Sequence, residues 1–111
     1  MEQQSHRMER INQLIWRELI TVIGREIKDP RLQDISITEV ITSKDLGYSK
    51  IFFNCEDDEQ VIVKKLLKGA AGFLRSRLAK NLKLRHTPEL QFHYDHSQNT
   101  SNRIEEIIAK L

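Results

Sequence analysis

Apolar residues recur along the chain with two periods, and the switch between them marks out the elements. Met8, Ile11, Ile15, Leu19, Val22 and Ile23 follow helical spacing, which predicts an amphipathic helix over about residues 6–27. Arg7, Arg10 and Arg17 share its opposite side. The helix must end before Pro30, because the residue preceding a proline avoids the α region. β-Branched residues then dominate 35–42, the segment Ile35-Ser36-Ile37-Thr38-Glu39-Val40-Ile41-Thr42, which reads as a strand. Lys44-Asp45-Leu46-Gly47 supplies a turn, and residues 48–55 form the partner strand with Ile51, Phe53 and Cys55 on one face. So short a connection implies an antiparallel hairpin.

The next segment repeats every four residues, through Ile62, Leu66, Ala70, Leu74, Leu78 and Leu82. Such a row drifts about 40° per member around a helix of 3.6 residues per turn. A flat sheet could not bury all of it. A bend or break is therefore expected at the small residues Gly69-Ala70-Ala71-Gly72, giving a helix–kink–helix. Thr87-Pro88 ends this helix, and Glu89 to Asp95 alternates with Leu90, Phe92 and Tyr94 on one side. A strand–helix–strand crossover favours a right-handed parallel pairing. Asn102 can cap a last short helix, about 102–110, with Ile104, Ile107 and Ile108 on one side. The expected architecture is an α+β two-layer domain, a three-stranded mixed sheet with helices on one face.

At 111 residues the chain has the length of one domain, expected as 1–111 with its core at about 5–97. No apolar run is long enough to span a membrane, and the N-terminus lacks an apolar signal core, so a cytoplasmic location is expected. The single cysteine, Cys55, suits a reducing compartment. The net charge is only +2, but it is strongly partitioned. Between Gln60 and Pro88 stand eight cations (Lys64, Lys65, Lys68, Arg75, Arg77, Lys80, Lys83, Arg85) and no acid. The rest of the chain carries a net negative charge. This polarisation points to a polyanion-binding face. Helical geometry puts Lys64, Lys65, Lys68, Gly72 and Arg75 away from the leucine row, with Arg77, Lys80 and Lys83 taking over beyond the kink. Glutamates at Arg75, Arg77 and Lys80 are expected to leave the fold intact. The acidic run Glu56-Asp57-Asp58-Glu59 reads as a helix N-terminus favoured by the macrodipole, and it lacks the spacing of a calcium loop.

No catalytic or metal constellation stands out. His86, His93 and His96 are not expected to converge, and Cys55 reads as a buried, inert thiol. Phe52, Phe53 and Phe92 read as core, and Trp16 as core or helix-edge packing. No phosphate-binding loop or nucleophile elbow is present. A non-enzyme without cofactor or small-molecule substrate is expected.

Over about residues 5–110 the sequence resembles the bacterial ribosome-binding factor A family. The resemblance rests on Arg10-Ile11-Asn12-Gln13-Leu14-Ile15, Asp29-Pro30-Arg31-Leu32 and Asp45-Leu46-Gly47-Tyr48-Ser49-Lys50, in that order. Ala70-Ala71-Gly72-Phe73-Leu74-Arg75-Ser76 and Arg85-His86-Thr87-Pro88-Glu89-Leu90 complete the set. It implies a type II KH fold in which an Ala-x-Gly kink, here Ala70-Ala71-Gly72, replaces the usual Gly-x-x-Gly loop. Gly69-Ala70-Ala71-Gly72 is also literally Gly-x-x-Gly, the backbone-clamping loop of ordinary KH domains; its two alanines favour helix. Gln98 to Asn102 lacks a glycine expected in the family. The resemblance implies a monomeric factor binding the small ribosomal subunit and 16S rRNA in late maturation, supporting 5′-end processing and growth in the cold. Arg7, Arg10, Lys64, Lys65, Lys68, Gly72, Arg75, Arg77, Lys80, Lys83 and Arg85 are the expected RNA contacts. The alternative is a module docking on a ribosomal protein or another assembly factor without touching RNA.

Overall fold

The computed structural model of the chain describes residues 2–97, with side chains from His6 onward. The elements run α1 (Glu2–Glu26), α2 (Pro30–Gln33), β1 (Ser36–Thr42), β2 (Tyr48–Asn54), α3 (Gln60–Asn81) and β3 (Glu89–Tyr94). A single 3-10 turn at Asp57–Glu59 leads into α3. The strands lie in the order β1-β2-β3, β1 antiparallel to β2 and β2 parallel to β3. α1 packs over β1, α3 over β3, and the two helices against each other. This is the expected α+β two-layer domain with a three-stranded mixed sheet. The helix expected at about 102–110 lies outside the described residues.

The core is built from the stripes the periodicity marked. Ile11, Ile15, Leu19, Val22 and Ile23 of α1 meet Ile37, Val40, Ile51, Phe53, Leu90 and Phe92 of the sheet, all buried. Each such side chain contributes roughly 1.5–3 kcal/mol on burial. β1 breaks strict alternation: Ile37 and Val40 are both buried, three residues apart. A bulge between Ile37 and Glu39 in the pairing with β2 absorbs the extra residue at Thr38.

α3 departs from its expected pattern in its first half. Val63, Leu67, Leu74 and Leu78 are buried, whereas Ile62 is exposed and Leu66 half-buried. With Ala70 and Ala71 between them, the buried residues follow true helical spacing and do not wind around the rod. The four-residue row was therefore right only beyond the glycines. The helix runs uninterrupted through Gly69-Ala70-Ala71-Gly72, so these residues are helix and not an open loop.

α2 was not anticipated. Pro30 opens it at a position where a missing N–H costs nothing, and the Asp29 carboxylate accepts the Arg31 N–H at 3.0 Å as an N-cap. Arg31 also donates from Nε and Nη2 to the two Asp29 oxygens at 3.1 and 3.0 Å. These bonds hold the Asp29 carboxyl below its ordinary value. Leu32 is buried, and the Gln33 amide donates to the Ile23 and Ile27 carbonyls at the end of α1. α2, through Gln33, is thus a buttress for the α1 C-terminus.

Candidate nucleic-acid interface

α3 turns its cations in three directions, because residues about 100° apart on a helix cannot share one face. Lys65, Gly72 and Ser76 lie on the outer face, opposite the buried stripe. Lys64, Lys68 and Arg75 lie on the flank toward β3. Arg77 lies on the flank toward α1. The contacts agree: Arg75 donates from Nε and Nη2 to the Thr87 carbonyl at 3.3 and 2.9 Å. Arg77 pairs with Glu26 at 2.9 Å, its guanidinium 5.1 Å from the Phe73 ring. On the same seam Asn81 donates to Glu18 at 2.6 Å.

Two expected contact residues are therefore already engaged inside the fold. Arg75 fastens the loop before β3, and Arg77 joins α3 to α1. Glutamate at either position would remove a contact that joins two parts of the fold, so these two reversals bear on stability as well as on binding. Lys64, Lys65 and Lys68 form no ion pair among the described residues; Lys65 and Lys68 are exposed and Lys64 is half-buried.

A second group is brought together from distant sequence. Arg7 and Arg10 of α1 line one groove with Lys83 and Arg85 of the loop after α3. Its floor is Ile11, Leu14, Leu46 and Leu84. The groove continues past Arg7 and Arg85 toward β1, where Lys44, Asn12 and Ile41 line it. Lys44 was missed. Its signal was topological: pairing β2 parallel to β3 puts the β1–β2 turn at the same end of the sheet as the loop before β3. The Glu89 N–H indeed donates to the Gly47 carbonyl at 3.0 Å.

The turn beneath this groove is tightly held. Asp45 accepts from the Ser43 hydroxyl at 2.7 Å and the Gly47 N–H at 2.9 Å, bonds that lower its pKa. Leu46 has a left-handed backbone, φ 60°, yet its side chain is buried. A branched aliphatic residue there costs about 1–2 kcal/mol, offset by the buried side chain.

The helix-free sheet face differs from expectation in one residue. Phe53 and Phe92 are core, but Phe52 is half-buried on the opposite face, its ring 5.6 Å from that of His93. Burial, then the Lys64, Lys50 and Lys68 charges, lower the His93 pKa, and its buried Nε2 has no hydrogen-bond partner among the described residues. Trp16 is a helix-edge residue, partly exposed, donating from Nε1 to the Ile37 carbonyl at 2.7 Å. Cys55 is half-buried at the edge of the core. Burial raises its pKa, with the neighbouring acids adding to the effect, so the thiol stays protonated at neutral pH. Among the described residues no group of three His, Cys, Asp or Glu side chains is placed to hold a metal. No described helix is long and apolar enough to cross a membrane.

Fold and surface together define a small α+β domain with cations gathered on α3 and around one groove. The sequence profile of ribosome-binding factor A matches residues 7–108. A ribosome-binding factor A from Ruthia magnifica subsp. Calyptogena magnifica is 46% identical over 111 residues, covering 100% of this chain and 99% of its own. One from Pseudomonas syringae pv. tomato is 48% identical over 103 residues, covering 87% and 73%. The crystal structure of ribosome-binding factor A from Thermus thermophilus superposes with a TM-score of 0.71 at 24% identity, covering 78% of this chain and 94% of its own. A Thermus thermophilus homology model fitted into a cryo-EM map of a 30S–RbfA complex gives 0.62 at 24% identity, covering 77% and 91%. The chain belongs to the ribosome-binding factor A family, a family of binding factors and not of enzymes.

Proposed function

We propose that the chain acts in the cytoplasm on the small ribosomal subunit late in its maturation, as a monomeric single domain that contacts 16S rRNA directly. Binding favours a mature arrangement of the rRNA near its 5′ end and so supports end processing. The need is greatest in the cold, where mispaired RNA persists longest. The observation that carries this reading is the charge partition: eight cations without an acid between Gln60 and Pro88, with Lys64, Lys65 and Lys68 free of ion pairs among the described residues. A homologous factor has been placed on a 30S particle, which agrees with it. Counterion release from rRNA phosphates would supply much of the affinity. Gly72, exposed on the outer face with open space around it, lets a phosphodiester backbone come close, and Ala70-Ala71-Gly72 is where α3 would bend on contact.

The rival reading, docking on a ribosomal protein, finds support in the partly exposed Leu14, Trp16 and Ile20 of α1. Co-sedimentation with immature small subunits, mature small subunits and whole ribosomes separates the two when repeated at rising salt. The expected result is preference for immature small subunits and steep loss with salt. Binding that ignores salt, or that vanishes when Trp16 and Ile20 become Ser while Lys64, Lys65 and Lys68 can be reversed freely, favours the protein partner.

A further inference from the structure

We propose that the groove between α1, the β1–β2 turn and the loop after α3 seats one unpaired nucleotide of a single-stranded RNA. Its base would lie on the aliphatic floor and its phosphates on the arginine rim. This rests on the reading that the chain binds RNA, and names where a strand enters the fold. The groove has two lobes, of about 600 Å³ and about 440 Å³, which share Arg7, Ile11, Leu46 and Arg85. Space of roughly 300–1,000 Å³ is what small-molecule sites offer.

The chemistry of the walls selects the occupant. Ile11 and Leu46 line both lobes and are themselves buried in the core, so the floor beneath them is apolar. Arg7, Lys44 and Arg85 stand exposed around it and make no ion pair among the described residues. Asn12 has its Oδ1 committed to the Thr42 N–H at 3.0 Å, so its amide NH₂ remains as a donor on the wall. Glu9 is the acid of the larger lobe, and its carboxylate lies 3.9 Å from the His6 ring nitrogen. A wall of donors over an apolar floor calls for a ligand that brings acceptors and a flat, weakly polar body. A nucleotide has both: phosphate oxygens, and a base whose edge accepts while its face stacks on apolar or guanidinium planes. A paired base in a duplex offers no free face, so the base must be unpaired. The smaller lobe adds Arg10 and Lys83, which continue the cationic track toward α3. Leu46 is held there in a left-handed backbone conformation by the Asp45 turn, which fixes the floor in advance.

The test follows methyl NMR signals of the full chain during titration with a hexamer of uridylate. The Met8, Ile11 and Ile41 methyls should shift saturably with the hexamer, and should hardly move with a blunt RNA hairpin duplex or with hexaglutamate. The Arg7→Ala/Arg85→Ala variant should bind the hexamer at least tenfold more weakly with the methyl spectrum of the free protein unchanged. Silent groove methyls alongside shifted Ile62, Ala70 and Ala71 signals would overturn the groove assignment and leave RNA binding standing. No shift anywhere would overturn the groove assignment, while the RNA reading itself stands or falls with the co-sedimentation at rising salt. Equal shifts with hexaglutamate would make the groove an acidic-peptide or general anion site, and equal shifts with the duplex would remove the unpaired base.

Discussion

At the level of single residues, Arg77 shows how a cation in a basic segment can belong to the fold. Its ion pair with Glu26 and its place over Phe73 tie α3 to α1 on a half-buried seam. Arg77→Ala is expected to cost about 1 kcal/mol, near the upper end for a partly exposed pair. Arg77→Glu should cost more, because a carboxylate then faces Glu26; urea denaturation midpoints measure both. An unchanged midpoint for Arg77→Glu would mean the seam carries no stability. His93 makes a second case. Its lowered pKa means the folded chain binds fewer protons than the unfolded one. The advantage of the neutral ring is complete above about pH 6.5, the ordinary histidine value, and is lost as pH falls from there through the folded value. Stability should therefore decline between pH 7 and pH 5, and His93→Gln should flatten that decline. The lowered carboxyls of Asp29, Asp45 and Asp95 hold their contribution above about pH 3.9 and lose it at more acid pH, so they lie outside this window.

At the level of elements, what could be read from the sequence depended on whether one apolar stripe was present or two. In α1 and β3 a single stripe left one choice of inner face, and Ile15, Leu19, Phe92 and Tyr94 are buried as their spacing demanded. The first half of α3 offers Ile62 and Leu66 on one row and Val63 and Leu67 on another. Only packing against the sheet chooses the second. The bulge at Thr38 was hidden for a related reason, since a chain of β-branched residues looks the same with one residue extra. A continuous α3 has a measurable consequence. A Cβ built at Gly69 or Gly72 meets nothing within 4 Å, and glycine in a helix interior costs about 0.5–1 kcal/mol against alanine. Gly69→Ala and Gly72→Ala should each raise stability by roughly that amount, or several degrees of melting temperature in a domain of this size. Gly72→Ala should also weaken subunit binding relative to Gly69→Ala if rRNA closes on the outer face at residue 72. Equal binding by the two would remove Gly72 from the interface, and a fall in melting temperature for both would mean that α3 needs its glycines to bend.

At the level of the whole molecule, the charge partition was plain in the sequence, but its division in space was not. The 60–88 segment looked like one basic face. Folding directs Arg75 and Arg77 into the protein's own contacts, leaves Lys64, Lys65 and Lys68 without an ion pair among the described residues, and joins Lys83 and Arg85 to Arg7 and Arg10 across more than seventy residues of sequence. That last assembly depends on a parallel β2–β3 pairing and on the packing of α1, which no local pattern encodes. The division decides which charges can be reversed without confusing folding with binding. Lys64, Lys65 and Lys68 form no ion pair among the described residues, so Lys64→Glu/Lys65→Glu/Lys68→Glu should unfold at nearly the wild-type midpoint. Each phosphate contact to a single strand contributes about −0.7 to the slope of log affinity against log salt. If all three lysines meet rRNA phosphates, the triple variant should lose about 2 from that slope as well as affinity, measured by filter binding to small-subunit particles at several salt concentrations. Reversal at Arg7 and Arg10 should lower the slope by less and weaken binding by less, because Lys44, Lys83 and Arg85 remain at that groove. A triple variant that binds with the wild-type slope would place the rRNA contact away from α3 altogether.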